Sequence, residues 1–154
     1  MTLRIVLVAP LIPQNTGTIA RVTAATYADL HLIEPLGFEL SDRYLKRAGL
    51  DYWPEVRLTV HKTWDDFLAR EKPATTSLWF YSSHASRSYT AVAYGADDFL
   101  VFGNEDKGLP KEMHERYAER MLRIPMENPN VRSLNLSNCA SIVLYEARRQ
   151  NGIG

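Results

Sequence analysis

Leu3 to Ala9 reads LRIVLVA, apolar at every position except Arg4. A strand with one wet face alternates apolar and polar residues. An unbroken run rich in β-branched residues suits a strand covered on both faces, as in the parallel sheet of an α/β protein. Further strands are predicted at His31–Glu34, Val56–Val60, Ser77–Ser83, Asp98–Gly103 and Met121–Ile124. Helical patterns fall between them, at Thr18–Tyr27, Leu40–Ala48 (stopped by Gly49), Trp64–Arg70 and Pro110–Tyr117, with Pro110 suited to a first turn. A last helix starts at an N-cap on Ser137 or Asn138, and Ala91–Tyr94 reads as a connecting turn. This alternation predicts an α/β fold, a mostly parallel sheet with helices on both faces, in one domain spanning residues 1–154.

Composition removes several classes of function. A chain of 154 residues buries roughly 70% of its unfolded surface and needs no metal or disulfide staple. Cys139 is the only cysteine, so no disulfide framework or cysteine-based zinc site exists, in keeping with a reducing, cytoplasmic setting. The four histidines, His31, His61, His84 and His114, are scattered without an H-x-x-x-H pair and read as structural or solvated; no metal is expected. The N-terminus lacks the pattern of a secretory signal, and no apolar run approaches the ~20 residues of a membrane helix. With 18 basic and 18 acidic side chains the net charge is zero, so any nucleic-acid binding must rest on local clusters.

Ligands of doubly wound sheets bind beyond the C-terminal ends of strands. Three loops lie there. Pro10–Gly17 (PLIPQNTG) follows the first strand, Gly103–Pro110 the fifth, and Glu127–Asn138 the sixth. The last holds six Asn or Ser residues interleaved with Leu134 and Leu136, a composition that presents backbone polar groups between apolar anchors. Neither G-x-G-x-x-G nor a P-loop occurs, which weighs against a flavodoxin-like nucleotide module. Arg43, Lys46 and Arg47 share a helix face close to Tyr44, Tyr52 and Trp53, a combination of charge and rings that suits RNA. The final helix carries Leu136, Cys139, Ala140, Val143, Leu144 and Ala147 on one stripe. Ile142 and Tyr145 lie off it, facing a partner subunit or a second core contact.

Asn15-Thr16-Gly17 with Arg21, Phe102 to Pro110 (FGNEDKGLP), and Ile124-Pro125-Met126 with Ser133 to Ser137 (SLNLS) together resemble the three motifs of the SPOUT RNA methyltransferases of the 2′-O-ribose branch. Leu45 to Tyr52 (LKRAGLDY) and Tyr145-Glu146-Ala147 extend the likeness over essentially the whole chain, to the small tRNA wobble-position methyltransferases. That resemblance implies 2′-O-methylation of cytidine or modified uridine at the wobble nucleotide of tRNA. It implies S-adenosylmethionine bound in a C-terminal trefoil knot, and a homodimer. Periodicity alone gives an unknotted sheet. Carried over by motif, the cofactor contacts fall on Tyr81, Gly103, Ile124 and Ser133, with Leu134 and Leu136 as neighbours. After Tyr81 the loop SSHASRSYT departs from the commoner Thr-Lys-Gly type.

Arg21 is the catalytic candidate, either activating the 2′-OH or holding the adjacent phosphate and stabilising oxyanion charge. Asn15 orients Arg21 or caps its helix, and Glu105 pairs with Arg21 or meets the substrate. Ser133 and Asn135 face cofactor and ribose, and Arg132 faces phosphate. Together with Arg43, Lys46 and Arg47 they make the expected contacts with an anticodon stem-loop. Three rivals stay open: a methyltransferase for another tRNA or rRNA position, a non-catalytic RNA-binding protein of the same fold, and a small-molecule enzyme of flavodoxin-like build.

Overall fold

The computed structural model describes residues 1–41, 43 and 52–153. Six strands, β1 (Arg4–Val8), β2 (Asp29–Ile33), β3 (Arg57–His61), β4 (Leu78–Tyr81), β5 (Phe99–Phe102) and β6 (Met121–Leu122), form one sheet in the order β3-β2-β1-β5-β4-β6. Every pairing is parallel, with Ile5 opposite both Leu30 and Leu100. The strand order reverses between β1 and β5, so the crevice at their C-terminal ends is the topological switch point.

Successive strand residues point to opposite faces. Ile5, Leu7, Leu30, Leu100 and Phe102 meet helix α1 (Pro13–Thr26) through Ile19 and Ala20, and α4 (Leu136–Gln150) through Ala140, Val143, Leu144 and Ala147. Val6, Val8, Phe80 and Val101 meet α2 (Trp64–Glu71) through Phe67, and α3 (Lys111–Arg116) through Met113. Helices therefore cover both faces, as the unbroken apolar strands predicted. Of the expected stripe of α4, Ala140, Val143, Leu144 and Ala147 are buried and Leu136 and Cys139 half-buried, and Ile142 and Tyr145 are exposed. No helix of the described residues is long and apolar enough to cross a membrane.

The strands fall within two residues of their predicted limits, but three helix starts differ. The predicted loop residues Asn15, Thr16 and Gly17 lie inside α1, which begins at Pro13. Its N-cap, Ile12, offers no side-chain acceptor. The α4 cap is Asn135, whose Oδ1 accepts from the backbone N–H groups of Ser137 (2.8 Å) and Asn138 (3.4 Å), rather than Ser137 or Asn138 themselves. Pro110 likewise stands one place ahead of α3, as its N-cap. The predicted helix Leu40–Ala48 lies largely outside the described residues, as do Lys46 and Arg47.

His31 and His61 are not scattered. From neighbouring strands they bring Nδ1 and Nε2 to 2.9 Å, with the ring planes 18° apart and the centroids 5.2 Å apart. That geometry is two nearly coplanar rings meeting edge to edge across one shared proton. Glu71 Oε1 stands 3.9 Å from His31 Nε2, which has no hydrogen bond. The two facing nitrogens aim at each other, so His31 and His61 form a hydrogen-bonded pair with Glu71 beside it. Burial first, then His61, Arg4 and Arg70, push the His31 pKa from 6.5 down to about 4. His61 is lowered too, chiefly by burial.

The unfolded chain takes up a proton at His31 below 6.5, whereas the folded chain resists it until about 4. His31 therefore contributes stability in full above that window and loses it as pH falls through it. The effect amounts to about 3 kcal/mol at most. The urea midpoint is expected to drop between pH 7 and pH 5, and less so in a His31→Gln variant. An equal drop in that variant would assign the effect elsewhere.

Candidate active site

The sequence folds a closed turn after β5. Asn104 N–H donates to Gly108 C=O (3.3 Å) and Gly108 N–H to Asn104 C=O (3.1 Å). Asn104 Oδ1 accepts from the backbone of Asp106 and Lys107. Gly108 takes a left-handed φ of +68°, which side chains disfavour. The turn folds back on Gly103 so closely that a Cβ there would lie 2.0 Å from the Gly108 carbonyl carbon and 2.2 Å from Leu109 N.

This turn aims Glu105 at the start of α1. Glu105 Oε1 accepts from Leu11 N–H (2.9 Å), and Oε2 accepts from Ile12 N–H (2.8 Å) and Asn15 Nδ2 (3.2 Å). The cap that α1 lacks locally thus arrives from the loop after β5, and an acidic group there also suits the helix dipole. Asn15 Oδ1 in turn accepts from Asn135 Nδ2 at 3.1 Å. One chain of hydrogen bonds, Glu105–Asn15–Asn135, therefore joins all three strand-end segments.

Around this junction opens a cleft of about 620 Å³. Tyr81, Gly103, Ile124, Ser133, Leu134 and Leu136, the six predicted cofactor contacts, all line it, as do Asn15, Glu105, Arg132 and Asn135. The Tyr81 ring lies flat against Phe102, with centroids 4.7 Å apart and planes at 15°. Its hydroxyl points inward to the Tyr94 hydroxyl (3.1 Å), and burial, then Tyr94, hold its pKa well above 10. Tyr81 is therefore a neutral wall. The Cys139 thiol lines the cleft as well, its pKa raised by burial.

Some expected roles change. Asn15 neither caps α1 nor orients Arg21, because both ends of its side chain are held by Glu105 and Asn135. Within one chain Glu105 is paired with Leu11, Ile12 and Asn15, and Arg21 with Tyr52. The side chain of Asn135 is committed to Asn15 and to the cap of α4, which leaves one N–H for a substrate. Arg21 stands six residues beyond Asn15, about 9 Å along α1 and about 120° around it. It is exposed and does not line the cleft of its own chain. Its guanidinium carbon sits 4.8 Å from the Tyr52 ring centroid, and Nη2 donates to the Tyr52 hydroxyl at 3.3 Å. Arg43 is exposed and also stands off the cleft.

Sequence reasoning missed Ile12, His84, Phe102, Leu109, His114 and Met126 among the lining residues. Of these, Phe102, Leu109 and Met126 fell within a recognised motif. His84 and His114 also border a second hollow of about 740 Å³ with Arg87 and Arg120. Both arginines donate there to backbone carbonyls, Arg87 to Glu119 and Arg120 to Leu78 and Thr76, so they brace the fold.

Comparison with known proteins adds to this geometry. The tRNA (cytidine(34)-2′-O)-methyltransferase of Saccharophagus degradans is 50% identical over 149 residues, 96% of this chain and 95% of that one. A solved structure concerning 2-OH methylation of C/U34 on tRNA is 44% identical with a TM-score of 0.92, covering 98% of this chain and 97% of that one. An AdoMet-bound rRNA methyltransferase from Sinorhizobium meliloti is 25% identical with a TM-score of 0.78, covering 96% of this chain and 56% of that one. A sequence profile of the SpoU rRNA Methylase family matches residues 2–145, nearly the whole of the sheet and the helices that frame the cleft, and the chain belongs to that family.

Proposed function

We propose that this chain is an S-adenosylmethionine-dependent tRNA methyltransferase acting on the ribose 2′-OH of the wobble nucleotide, cytidine or modified uridine. The observation that carries the reading is the Glu105–Asn15–Asn135 junction, which gathers three separated segments around one cleft. Relatives matched along almost their whole length carry the same activity in their names.

The cleft suits the cofactor. Its volume falls within the ~300–1,000 Å³ of small-molecule sites, and such sites combine apolar walls with a few polar groups. Here Tyr81, Ile124, Leu134 and Leu136 supply walls for an adenine, and the backbone of the Gly103 turn and of the Ser133 loop supplies its polar partners. When bound, S-adenosylmethionine supplies an electrophilic methyl group.

The protein must then hold a ribose hydroxyl in line and stabilise the charge that grows on its oxygen. Three N–H donors hold the Glu105 carboxylate against the start of α1, which gives it a bracing role. Arginine is effectively always protonated, so Arg21 acts by charge, gripping the adjacent phosphate and the developing oxyanion.

Since Arg21 does not line its own cleft, it acts in a homodimer, reaching the cleft of a second copy. The exposed Ile142 and Tyr145 on α4, a helix packed beside α1, supply apolar surface for that pairing. The dimer gathers Arg43, Lys46, Arg47 and Arg132 along an anticodon stem-loop. One domain suffices for this, working in the cytoplasm, where tRNA is modified. The knotted path belongs to the same reading: after β6 at the sheet edge the chain returns to set α4 against α1 and β5.

The test is transfer of labelled methyl from S-adenosylmethionine to tRNA, with the modified nucleotide mapped. Label at the wobble ribose is expected. Label at another tRNA position or in rRNA would point to a sister enzyme, and tRNA binding without transfer to a silent RNA-binding protein.

A further inference from the structure

Tyr52 ends the Leu45–Tyr52 stretch that carries the family likeness, but the resemblance gives it no role, and it meets Arg21. Its ring and its hydroxyl engage the guanidinium at once, by face at 4.8 Å and by edge at 3.3 Å. The two residues lie 31 positions apart, so the contact is made by the fold.

Tyr52 itself is well anchored. Its carbonyl accepts from Glu55 N–H at 2.8 Å, opening a 3-10 turn over Trp53–Glu55, and Val56 N–H closes that turn on the Trp53 carbonyl at 3.1 Å. Trp53 packs against the main core cluster. A long, flexible side chain thus rests on a fixed platform.

We infer that Tyr52 is a positioning residue for Arg21, holding its guanidinium in one orientation for the reaction proposed above, on which this inference rests. Arginine carries about 2 kcal/mol of rotamer entropy, and holding it beforehand removes that cost from the bound complex. Cation–π attraction fixes the plane of the guanidinium, and the hydroxyl takes one of its five N–H groups. The remaining donors stay free to grip a phosphate or a ribose oxyanion from the open edge. Removing the ring leaves the charge in place but lets it wander, and small misplacements of a charged group are costly in rate.

The test compares the wild type with Tyr52→Phe, Tyr52→Ala, Arg21→Ala and the Tyr52→Ala/Arg21→Ala double variant, in methyl transfer to tRNA. Tyr52→Ala is expected to lower kcat by about tenfold or more, with KM for cofactor and tRNA within about twofold and the melting temperature unchanged. Tyr52→Phe, which keeps the ring, should fall between Tyr52→Ala and the wild type. In the Arg21→Ala background the Tyr52→Ala change should cost nothing further, because the residue it acts through is gone.

Three results would overturn the inference while leaving the function standing. They are an unchanged kcat in Tyr52→Ala, a loss that persists undiminished in the Arg21→Ala background, or a loss confined to the KM for tRNA, which would mark Tyr52 as a base-stacking residue. A wild-type chain that transfers no methyl at all would overturn the functional reading, and this inference with it.

Discussion

An Arg21→Ala variant is expected to transfer methyl about 10²–10³ times more slowly than the wild type while binding S-adenosylmethionine within about twofold of it. The two halves of this expectation come from different places in the structure. Cofactor affinity is untouched because the residues proposed to hold the cofactor, Tyr81, Gly103, Ile124, Ser133, Leu134 and Leu136, do not include Arg21 and keep their places in the variant. The rate falls because the ribose oxygen loses the charge that stabilises it, and removing one such donor elsewhere costs a factor of that order. Folding is spared, since exposed substitutions of this kind shift stability by only about 0.5 kcal/mol. Calorimetry with the cofactor and single-turnover transfer separate the two. Mixing Arg21→Ala with a variant whose own cleft is blocked, such as Leu134→Arg, sharpens the test. Random re-pairing of subunits makes half the dimers mixed, and each mixed dimer holds one complete site, so about a quarter of wild-type activity should return. No recovery in a freely exchanging mixture would place Arg21 in the cleft of its own chain.

Gly103→Ala is expected to reduce cofactor affinity by more than about 100-fold. A Cβ at this position would sit 2.0 Å from the backbone of Gly108, and backbone cannot step aside as the end of a side chain can. The turn from Asn104 to Gly108 must swing outward, and that turn forms one wall of the cleft. It also carries Glu105, so the first turn of α1 loses its acceptors in the same movement. Leu109, buried at the end of the turn, would be pulled from the core, with a stability loss of about 2–4 kcal/mol. Equilibrium unfolding and cofactor titration should show both losses together. Alanine accepted at full affinity would mean that the turn is more pliable than its paired hydrogen bonds imply.

The architecture was readable from β1 onward, because a strand buried on both faces must be apolar throughout and few folds use such strands in number. The cleft was readable for a related reason. Loops at the carboxyl ends of parallel strands are where ligands bind, and the Asn/Ser-rich stretch before α4 advertised its backbone. What escaped is what distant contacts decide. Asn15, Thr16 and Gly17 have the local preferences of a loop, yet they lie in a helix that opens at Pro13 and is tied to an acid some 90 positions away. The pairing of His31 with His61 depends on the register of β2 against β3. The separation of Arg21 from the cleft is a matter of helical phase, and the start of α1 set that phase.

The carboxylate that completes α1 has a consequence for how the molecule is made. Leu11 and Ile12 wait for a partner 94 and 93 positions later in the chain. A nascent polypeptide emerging from the ribosome therefore exposes β1 and a frayed first turn long before residue 105 is synthesised. Contacts of such wide separation slow folding, and they leave early segments waiting. Release of truncated chains ending before and after Glu105 should reveal a step in the protection of residues 11–15, marking the moment at which the amino-terminal turn locks.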